Sequence, residues 1–211
     1  MRKHPILLMI ALLSYNVAYA VNCGDAEDYT GGGCKIASNT GGSIFEISGD
    51  IETDNTTNAH GLLISVNNDN TTTVNGDITT LGGISFGVFL SNSDDNITTI
   101  NGNITTSGST GYGVYLNSSH DNTTTVNGNI TTSGLSAHGV ILDGSSGNVS
   151  NQNTVTINGN ITTSAGDGVY LSSSEKNTIN ISGALSATGS GSKAVNMTSN
   201  TNTNTVNFGR G

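Results

Sequence analysis

The chain has few charged residues, few aromatic residues and almost no proline. Only 10% of its 211 residues are charged and 5% are aromatic, with one Pro and no Trp. Globular enzymes usually carry about a quarter of charged residues, so the composition excludes a typical enzyme. Disordered chains rely on high charge and proline, which are also lacking. A polar, β-prone chain with 29 Gly remains, and it folds only if a repeating pattern places each small apolar side chain.

Basic residues and long hydrophobic runs are scarce as well. Six Lys and Arg oppose fifteen Asp and Glu, for a formal net charge of −9. Nucleic acid and anionic lipid both require clustered cations, so we expect neither as a partner. The one apolar run, Ile6 to Leu13, follows Arg2 and Lys3 and precedes Ala18-Tyr19-Ala20. This pattern predicts a signal peptide over residues 1–20 and export by the Sec pathway.

Cysteine occurs only at Cys23 and Cys34, on either side of a Gly-rich loop. Export places both residues in an oxidising compartment, so we expect a disulfide between them. Residues 21–43 are then predicted to form an N-terminal capping segment. No cofactor is expected.

The rest of the chain, residues 44–211, is a repeat of about 26 residues. One block reads NTTTVNGDITT from Asn70 and returns, with small changes, from Asn96, Asn122, Asn153 and Asn177. A second block, GVYL in its typical form, begins at Gly61, Gly87, Gly113, Gly139 and Gly168. Both blocks alternate with period two, as strands do, and are too short for helices. The pattern predicts an all-β fold, a single-stranded right-handed parallel β-helix of about six to seven coils with an N-terminal cap.

Equivalent positions of successive coils then stack in columns. Val and Ile columns are predicted to form a narrow core, and Gly columns to occupy corners where the chain bends or takes positive φ. The conserved phase of the Asn column predicts that its amides turn inward and hydrogen-bond along the axis, rather than carry glycans. Its members are Asn70, Asn96, Asn122, Asn153, Asn177 and Asn204.

A signal peptide followed by Gly/Asn/Thr-rich coils resembles the passenger region of bacterial autotransporters (type V secretion), from about Ile44 to Phe208. The resemblance implies a structural or adhesive role at the bacterial cell surface, in the outer membrane or outside the cell. It also implies an outer-membrane translocator barrel as partner, and the chain would associate with a membrane only through this barrel. No barrel strands follow Phe208, so we expect either an N-terminal fragment of a longer protein or a protein exported without its own translocator.

One outward column of apolar and aromatic residues is a candidate binding face for a host surface protein or a glycan. It consists of Leu63, Phe89, Tyr115, Ile141 and Tyr170. Stacking between coils that merely stabilises the sheet is the alternative. A five-residue insertion near Gly144 to Ser150 is a further place where recognition could reside.

An ice-binding solenoid is the alternative function. Its ice-binding face would be the outward T-x-T array formed by Thr71, Thr73, Thr123, Thr125, Thr154 and Thr156, which Ile97 interrupts.

A carbohydrate-active enzyme is the second alternative. The only cations within the coils before residue 210 are Lys176 and Lys193, in separate coils, and no long loops build a cleft, so we expect no catalysis.

Metal binding has little support in the sequence. His60 and His138 share a column but lie three coils apart, too far to share a metal, and are interpreted as surface histidines. Asp69, Asp95 and Asp121 stack in adjacent coils, where a hard cation such as Ca²⁺ would relieve their repulsion. A solvated acidic edge is the favoured interpretation of these three residues.

Overall fold

The computed structural model describes residues 23, 27–29, 31–37, 42–144, 150–198 and 201–209. The predicted signal peptide lies outside these residues, as do most of the insertion, at 145–149, and parts of the predicted cap. No helix in the described ranges is both long and apolar enough to cross a membrane. The described fold is all-β.

Three sheets form the three faces of a β-solenoid, and each complete coil contributes one strand to each sheet. Sheet 1 has eight strands: β1 Glu27–Tyr29, β2 Gly33–Ala37, β5 Leu62–Ser65, β8 Val88–Ser91, β11 Val114–Asn117, β14 Val140–Asp143, β18 Val169–Ser172 and β22 Val195–Met197. Sheet 2 has seven: β3 Ile44–Ile47, β6 Thr71–Val74, β9 Ile97–Ile100, β12 Thr123–Val126, β16 Thr154–Ile157, β20 Thr178–Ile181 and β23 Thr205–Phe208. Sheet 3 has six: β4 Ile51–Glu52, β7 Ile78–Thr80, β10 Ile104–Thr106, β13 Ile130–Thr132, β17 Ile161–Thr163 and β21 Leu185–Ala187. Two short strands, β15 Ser150–Asn151 and β19 Ser174–Glu175, pair at a corner.

Successive coils pair in parallel and in register. Val114 of β11 pairs with Val88 of β8 on one side and with Val140 of β14 on the other. Equivalent residues of the repeat therefore lie next to each other along the axis, as the repeat predicts. The prediction of a parallel β-helix is confirmed, with about six turns.

The core consists of columns of inward side chains, in which the same strand position of successive coils stacks along the axis. Most of these side chains are Val, Ile and Leu. Val74, Ile78, Val88 and Leu90 are all fully buried, as predicted. The first inward column of sheet 2 differs, because Thr72, Thr98 and Thr124 occupy it in three adjacent coils. Their hydroxyl oxygens are buried and have no hydrogen-bond partner in the structure.

The Asn column turns inward, as predicted. The side-chain Nδ2 of Asn96 donates to Oδ1 of Asn122 at 3.2 Å, and Nδ2 of Asn122 donates to Oδ1 of Asn153 at 3.0 Å. The same Asn122 amide also donates to the carbonyls of Ser93 and His120. We call this column the buried amide ladder; its residues from Asn70 to Asn177 are buried, and Asn204 is half-buried.

The corner glycines serve close packing rather than positive φ. A Cβ at Gly113 would lie 2.3 Å from Cγ2 of Ile130 and 2.6 Å from the carbonyl oxygen of Gly139, so no side chain fits. Positive φ occurs at other corners, at Asp69 (60°), Asp95 (57°) and Asp121 (53°). Of the two alternatives for the Gly columns, a bend or positive φ, positive φ does not occur at their named members.

The N-terminal end carries the disulfide between Cys23 and Cys34. Strand β1 pairs antiparallel with β2, and β2 begins the parallel stack on β5, with Cys34 beside Leu62. The disulfide thus joins the start of the described chain to the first coil.

Candidate functional site

The predicted outward column lies on sheet 1, one residue per strand from β5 to β18. Adjacent members are in direct register, as Tyr115 is with Phe89 and with Ile141. We call these five residues, Leu63, Phe89, Tyr115, Ile141 and Tyr170, the front column. Phe89, Tyr115 and Tyr170 are half-exposed, but Leu63 is only 7% exposed and Ile141 only 4%. The expectation that the whole column faces solvent was therefore wrong for these two residues.

A second column lies beside the front column. It lies three residues before the front column in each coil, just ahead of the corner glycine, and we call it the flanking column. Its members are His60, Phe86, Tyr112, His138 and Asp167. The sequence interpretation missed this column and placed His60 at the surface, whereas His60 is 5% exposed. The signal was present as an aromatic residue or histidine before Gly in H-G-L-L, F-G-V-F, Y-G-V-Y and H-G-V-I.

Ring packing joins the two columns. Along the axis, Phe86 stacks on Tyr112 with centroids 4.8 Å apart, and Phe89 stacks on Tyr115 at 5.0 Å. Within a coil the rings meet edge to face, at 5.1 Å for Phe86 and Phe89. Offset-stacked and edge-to-face pairs are the favourable geometries for aromatic rings, so each ring is held by neighbours on two sides. We call the front and flanking columns together the aromatic face.

Both histidines of the flanking column are held neutral. Burial lowers the pKa of His60 to about 4, and its Nδ1 accepts the backbone N–H of Phe86 at 3.1 Å. Burial also lowers the pKa of His138, against the opposing effect of Asp167, and its Nδ1 accepts the backbone N–H of Asp167 at 2.8 Å. These two Nδ1 atoms are therefore already used as acceptors within the fold.

A polar column borders the aromatic face at the far end of the same strands. Asp143 occupies it in β14, in register with Asn117 on one side and Ser172 on the other. The Asn117 amide donates to the Tyr115 hydroxyl oxygen at 2.7 Å. Burial and then the Asp143 carboxylate raise the pKa of Tyr112, and they raise that of Tyr115 to about 12. Both phenols are therefore neutral, and the Tyr115 O–H remains able to donate to a ligand.

The C-terminal end of the face is charged. Asp167 accepts the backbone N–H of Lys193 at one oxygen and the Asn196 amide at the other, both at 2.7 Å. The Lys193 ammonium in turn donates to Oδ1 of Asn196 at 2.9 Å. The carboxylate of Asp167 is thus committed to contacts within the fold.

The T-x-T array lies on the outward face of sheet 2. The first positions, Thr71, Thr123 and Thr154, and the second positions, Thr73, Thr125 and Thr156, each form an outward column. Ile97, which is 51% exposed, interrupts the first column between β6 and β12. Beside the array runs an exposed amide ladder, in which Asn101 donates to Asn75 and Asn127 donates to Asn101, both at 2.7 Å.

The acidic column has a backbone role. Asp69, Asp95 and Asp121 all occupy left-handed corners, a conformation that Asp tolerates better than most residues. Partial desolvation and the carboxylates of Asp121, Asp69 and Asp94 raise the pKa of Asp95. Within the described ranges, no three His, Cys, Asp or Glu side chains are placed to hold a metal ion. These three residues therefore do not form the calcium site considered above.

Comparison with known proteins gives one relationship. No curated protein and no solved structure matches the chain. The sequence model of the family described as "Periplasmic copper-binding protein (NosD)" matches residues 16–207, which is most of the chain and includes every strand except the last residue of β23. The coils, the aromatic face and the amide ladders all lie within the matched residues. On this match, the chain belongs to the NosD family.

Proposed function

We propose that the chain is an exported cell-envelope protein that binds a glycan through the aromatic face. One observation carries the proposal: the half-exposed rings of Phe89 and Tyr115 are parallel, in register and fixed by the flanking column. A sugar ring presents C–H groups on its faces and hydroxyls at its edges. The first pack on the apolar ring edges that the stacked Phe89 and Tyr115 turn outward, and the second pair with polar groups such as Asn117 and Asp143. A row of fixed rings bordered by polar groups therefore matches an extended glycan lying along the axis.

A binding role fits this face better than catalysis. Glycoside cleavage usually needs two carboxylates on either side of the scissile bond. On the aromatic face the oxygens of Asp167 are taken by Lys193 and Asn196, which leaves Asp143 as the carboxylate beside the rings. We therefore propose a structural or adhesive protein without enzymatic activity.

The family description includes copper, but the described residues of this chain are poor candidates for its ligands. Copper sites use imidazole nitrogen, thiolate and thioether groups placed close together. Here Cys23 and Cys34 form a disulfide, and the Nδ1 atoms of His60 and His138 accept backbone N–H groups. No cluster of ligands occurs among the described residues. The described residues do not fit a copper site, and we propose no copper chemistry for them.

The proposal is tested by binding to an immobilised glycan panel. The variant Tyr115→Leu keeps an apolar side chain of similar reach but removes the ring and its hydroxyl, so binding should fall by about tenfold or more. Thr125→Ala, on sheet 2, is the matched control and should bind like the wild type. Circular dichroism verifies that both variants remain folded. Equal binding by Tyr115→Leu, or no glycan bound by the wild type, contradicts the proposal.

The autotransporter-like placement is tested separately. We propose that the coils are displayed at the cell surface, and the β-helix repeat supports this. Protease added to intact Gram-negative cells expressing the full chain should then degrade it. If degradation requires permeabilisation of the outer membrane, the chain is periplasmic and the display proposal is wrong.

Ice binding is the second candidate. The T-x-T residues of β12 and β16 are in direct register, Thr123 with Thr154 and Thr125 with Thr156, which favours it. Inhibition of ice recrystallisation by the wild type, lost in Thr125→Lys, would establish this function in place of the first. Normal crystal growth would end the ice-binding proposal.

A further inference from the structure

Asp143 is the one acidic residue of the polar column that borders the aromatic face. The residues of this column are Ser65, Ser91, Asn117, Asp143, Ser172 and Thr198. Residues two apart on a strand face the same side, so Asp143 lies beside Ile141 on the outward surface of β14. Ile141 is in register between Tyr115 and Tyr170. The carboxylate therefore borders the stretch of the front column that runs from one tyrosine to the next.

Hydrogen bonds and burial fix this carboxylate. The Ser172 hydroxyl and the Gly144 backbone N–H both bond Asp143, and partial burial still raises its pKa. A raised pKa means that the charged form lacks full solvation. A cationic ligand group would supply the missing stabilisation, whereas an anionic group would add repulsion.

The distribution of charged residues over the face also favours a cationic ligand group. Lys35 lies in register with Leu63 at one end of the front column, and Lys193 lies at the other end, bound to Asn196. The middle of the face has neutral phenols and Asp143, with no described cation beside them. Among the described residues in the middle of the face, the Asp143 carboxylate is therefore the group that attracts a cationic ligand group.

On the basis of the proposed function, we propose that the glycan bound by the aromatic face carries a free amino group, whose ammonium binds Asp143 between Tyr115 and Tyr170. The sugar ring would pack on the outward edge of the half-buried Tyr115 ring, and its hydroxyls would meet Asn117 and the Tyr115 O–H. Uronate-containing glycans would be excluded from this stretch by charge.

The test uses calorimetry at physiological salt to compare the binding of three soluble tetrasaccharides. They are the β-1,4-linked tetramer of glucosamine, the N-acetylated form of that tetramer, and a tetramer of galacturonate. The wild type should bind the amine form about five- to tenfold more tightly than the acetylated form, and galacturonate most weakly. Asp143→Asn keeps the shape and removes the charge, so it should bind the amine and acetylated forms equally.

Asp69→Asn is the matched control, because it changes the net charge of the chain by the same amount at an exposed corner away from the face. It should keep the preference for the amine. The proposal is overturned if the wild type shows no such preference, if Asp143→Asn keeps it, or if Asp69→Asn loses it as well. Failure of the proposed function looks different: none of the three sugars binds, or Tyr115→Leu binds them as the wild type does.

Discussion

The imidazole of His60 stacks on the ring of Phe86 in the next coil, with centroids 4.7 Å apart, while its Nδ1 accepts the backbone N–H of the same residue. One side chain therefore supports its neighbour by ring packing and by a backbone hydrogen bond. Both contacts need the neutral imidazole with an unprotonated Nδ1. The first two coils of the aromatic face are consequently sensitive to protonation of His60.

Stability should fall as the pH is lowered from 7 toward 4.5. The pKa of His60 is lowered from its ordinary value of 6.5 to about 4 in the folded chain, because burial disfavours the charged form. The unfolded chain therefore takes up a proton first, and the stabilisation is complete above pH 6.5 and lost as the pH falls toward 4. The full effect on the free energy of unfolding is about 3 kcal/mol. Urea denaturation at a series of pH values measures it.

The His60→Phe variant isolates this effect. It keeps the stacked ring but has no group that titrates in this range, so the slope between pH 6.5 and 5 should become smaller than that of the wild type. His120→Gln, at a half-exposed corner, should leave the slope unchanged. An equal slope in wild type and His60→Phe would assign the pH dependence to other groups.

The buried amide ladder should be a major source of stability. The Nδ2 of Asn122 shares its two hydrogens among three acceptors, and its Oδ1 accepts from the backbone N–H and the amide of Asn96. Asn122→Leu would leave these groups buried without partners, at a cost of about 2–4 kcal/mol. Asn127→Ser in the exposed ladder breaks two hydrogen bonds, to Asn101 and from Asn158, that water replaces, and should cost less than about 1 kcal/mol. Similar losses in the two variants would show that burial does not distinguish the ladders.

Replacing a buried hydroxyl in sheet 2 should stabilise the fold. Thr98 is fully buried and its Oγ1 has no partner, so Thr98→Val keeps the shape and removes a polar group that has lost its hydration. We expect a gain of about 1 kcal/mol in the free energy of unfolding. Thr99→Val on the half-exposed outer surface should give no such gain. A lower denaturation midpoint for Thr98→Val would mean that the hydroxyl binds a group such as buried water.

Corner glycines should not tolerate a methyl group where coils are closest. Gly113→Ala would bring a Cβ to 2.3 Å from Ile130 and 2.6 Å from the Gly139 carbonyl, so the coils must separate. A loss of more than about 2 kcal/mol is expected in thermal or urea unfolding. Gly83→Ala is the control, because the nearest atom to its Cβ would be Thr57 Oγ1 at 3.7 Å, an ordinary contact. Equal stability of the two variants would contradict the packing argument.

The coils could be predicted because alternation and spacing carry the same information at every turn. Val74 and Ile78 recur at fixed positions with period two, and the structure buries both. The inward Asn column followed from its phase relative to these residues. A strict repeat thus makes non-local pairing readable from a single sequence, since the strand partner is the next copy.

The aromatic face could be predicted only in part. Phe86 and Tyr112 each precede a corner glycine and lie outside any strand. The period-two alternation of a strand therefore does not predict which way their side chains point. Their stacking depends on the backbone path of the corner. Backbone angles are likewise hidden from a residue pattern. Asp95 was interpreted through its charge, whereas the structure places it at a left-handed corner.

The side-chain amide dipoles of each of the two ladders are aligned along the axis of the solenoid. In the buried ladder each Nδ2 points to the oxygen of the following coil, as from Asn96 to Asn122. In the exposed ladder each points to the preceding coil, as from Asn127 to Asn101. The amide dipoles therefore run head to tail along both ladders but in opposite senses, and their fields oppose each other along the axis. As coils are added, the dipole that grows along one of these two ladders is therefore opposed in part by the dipole of the other.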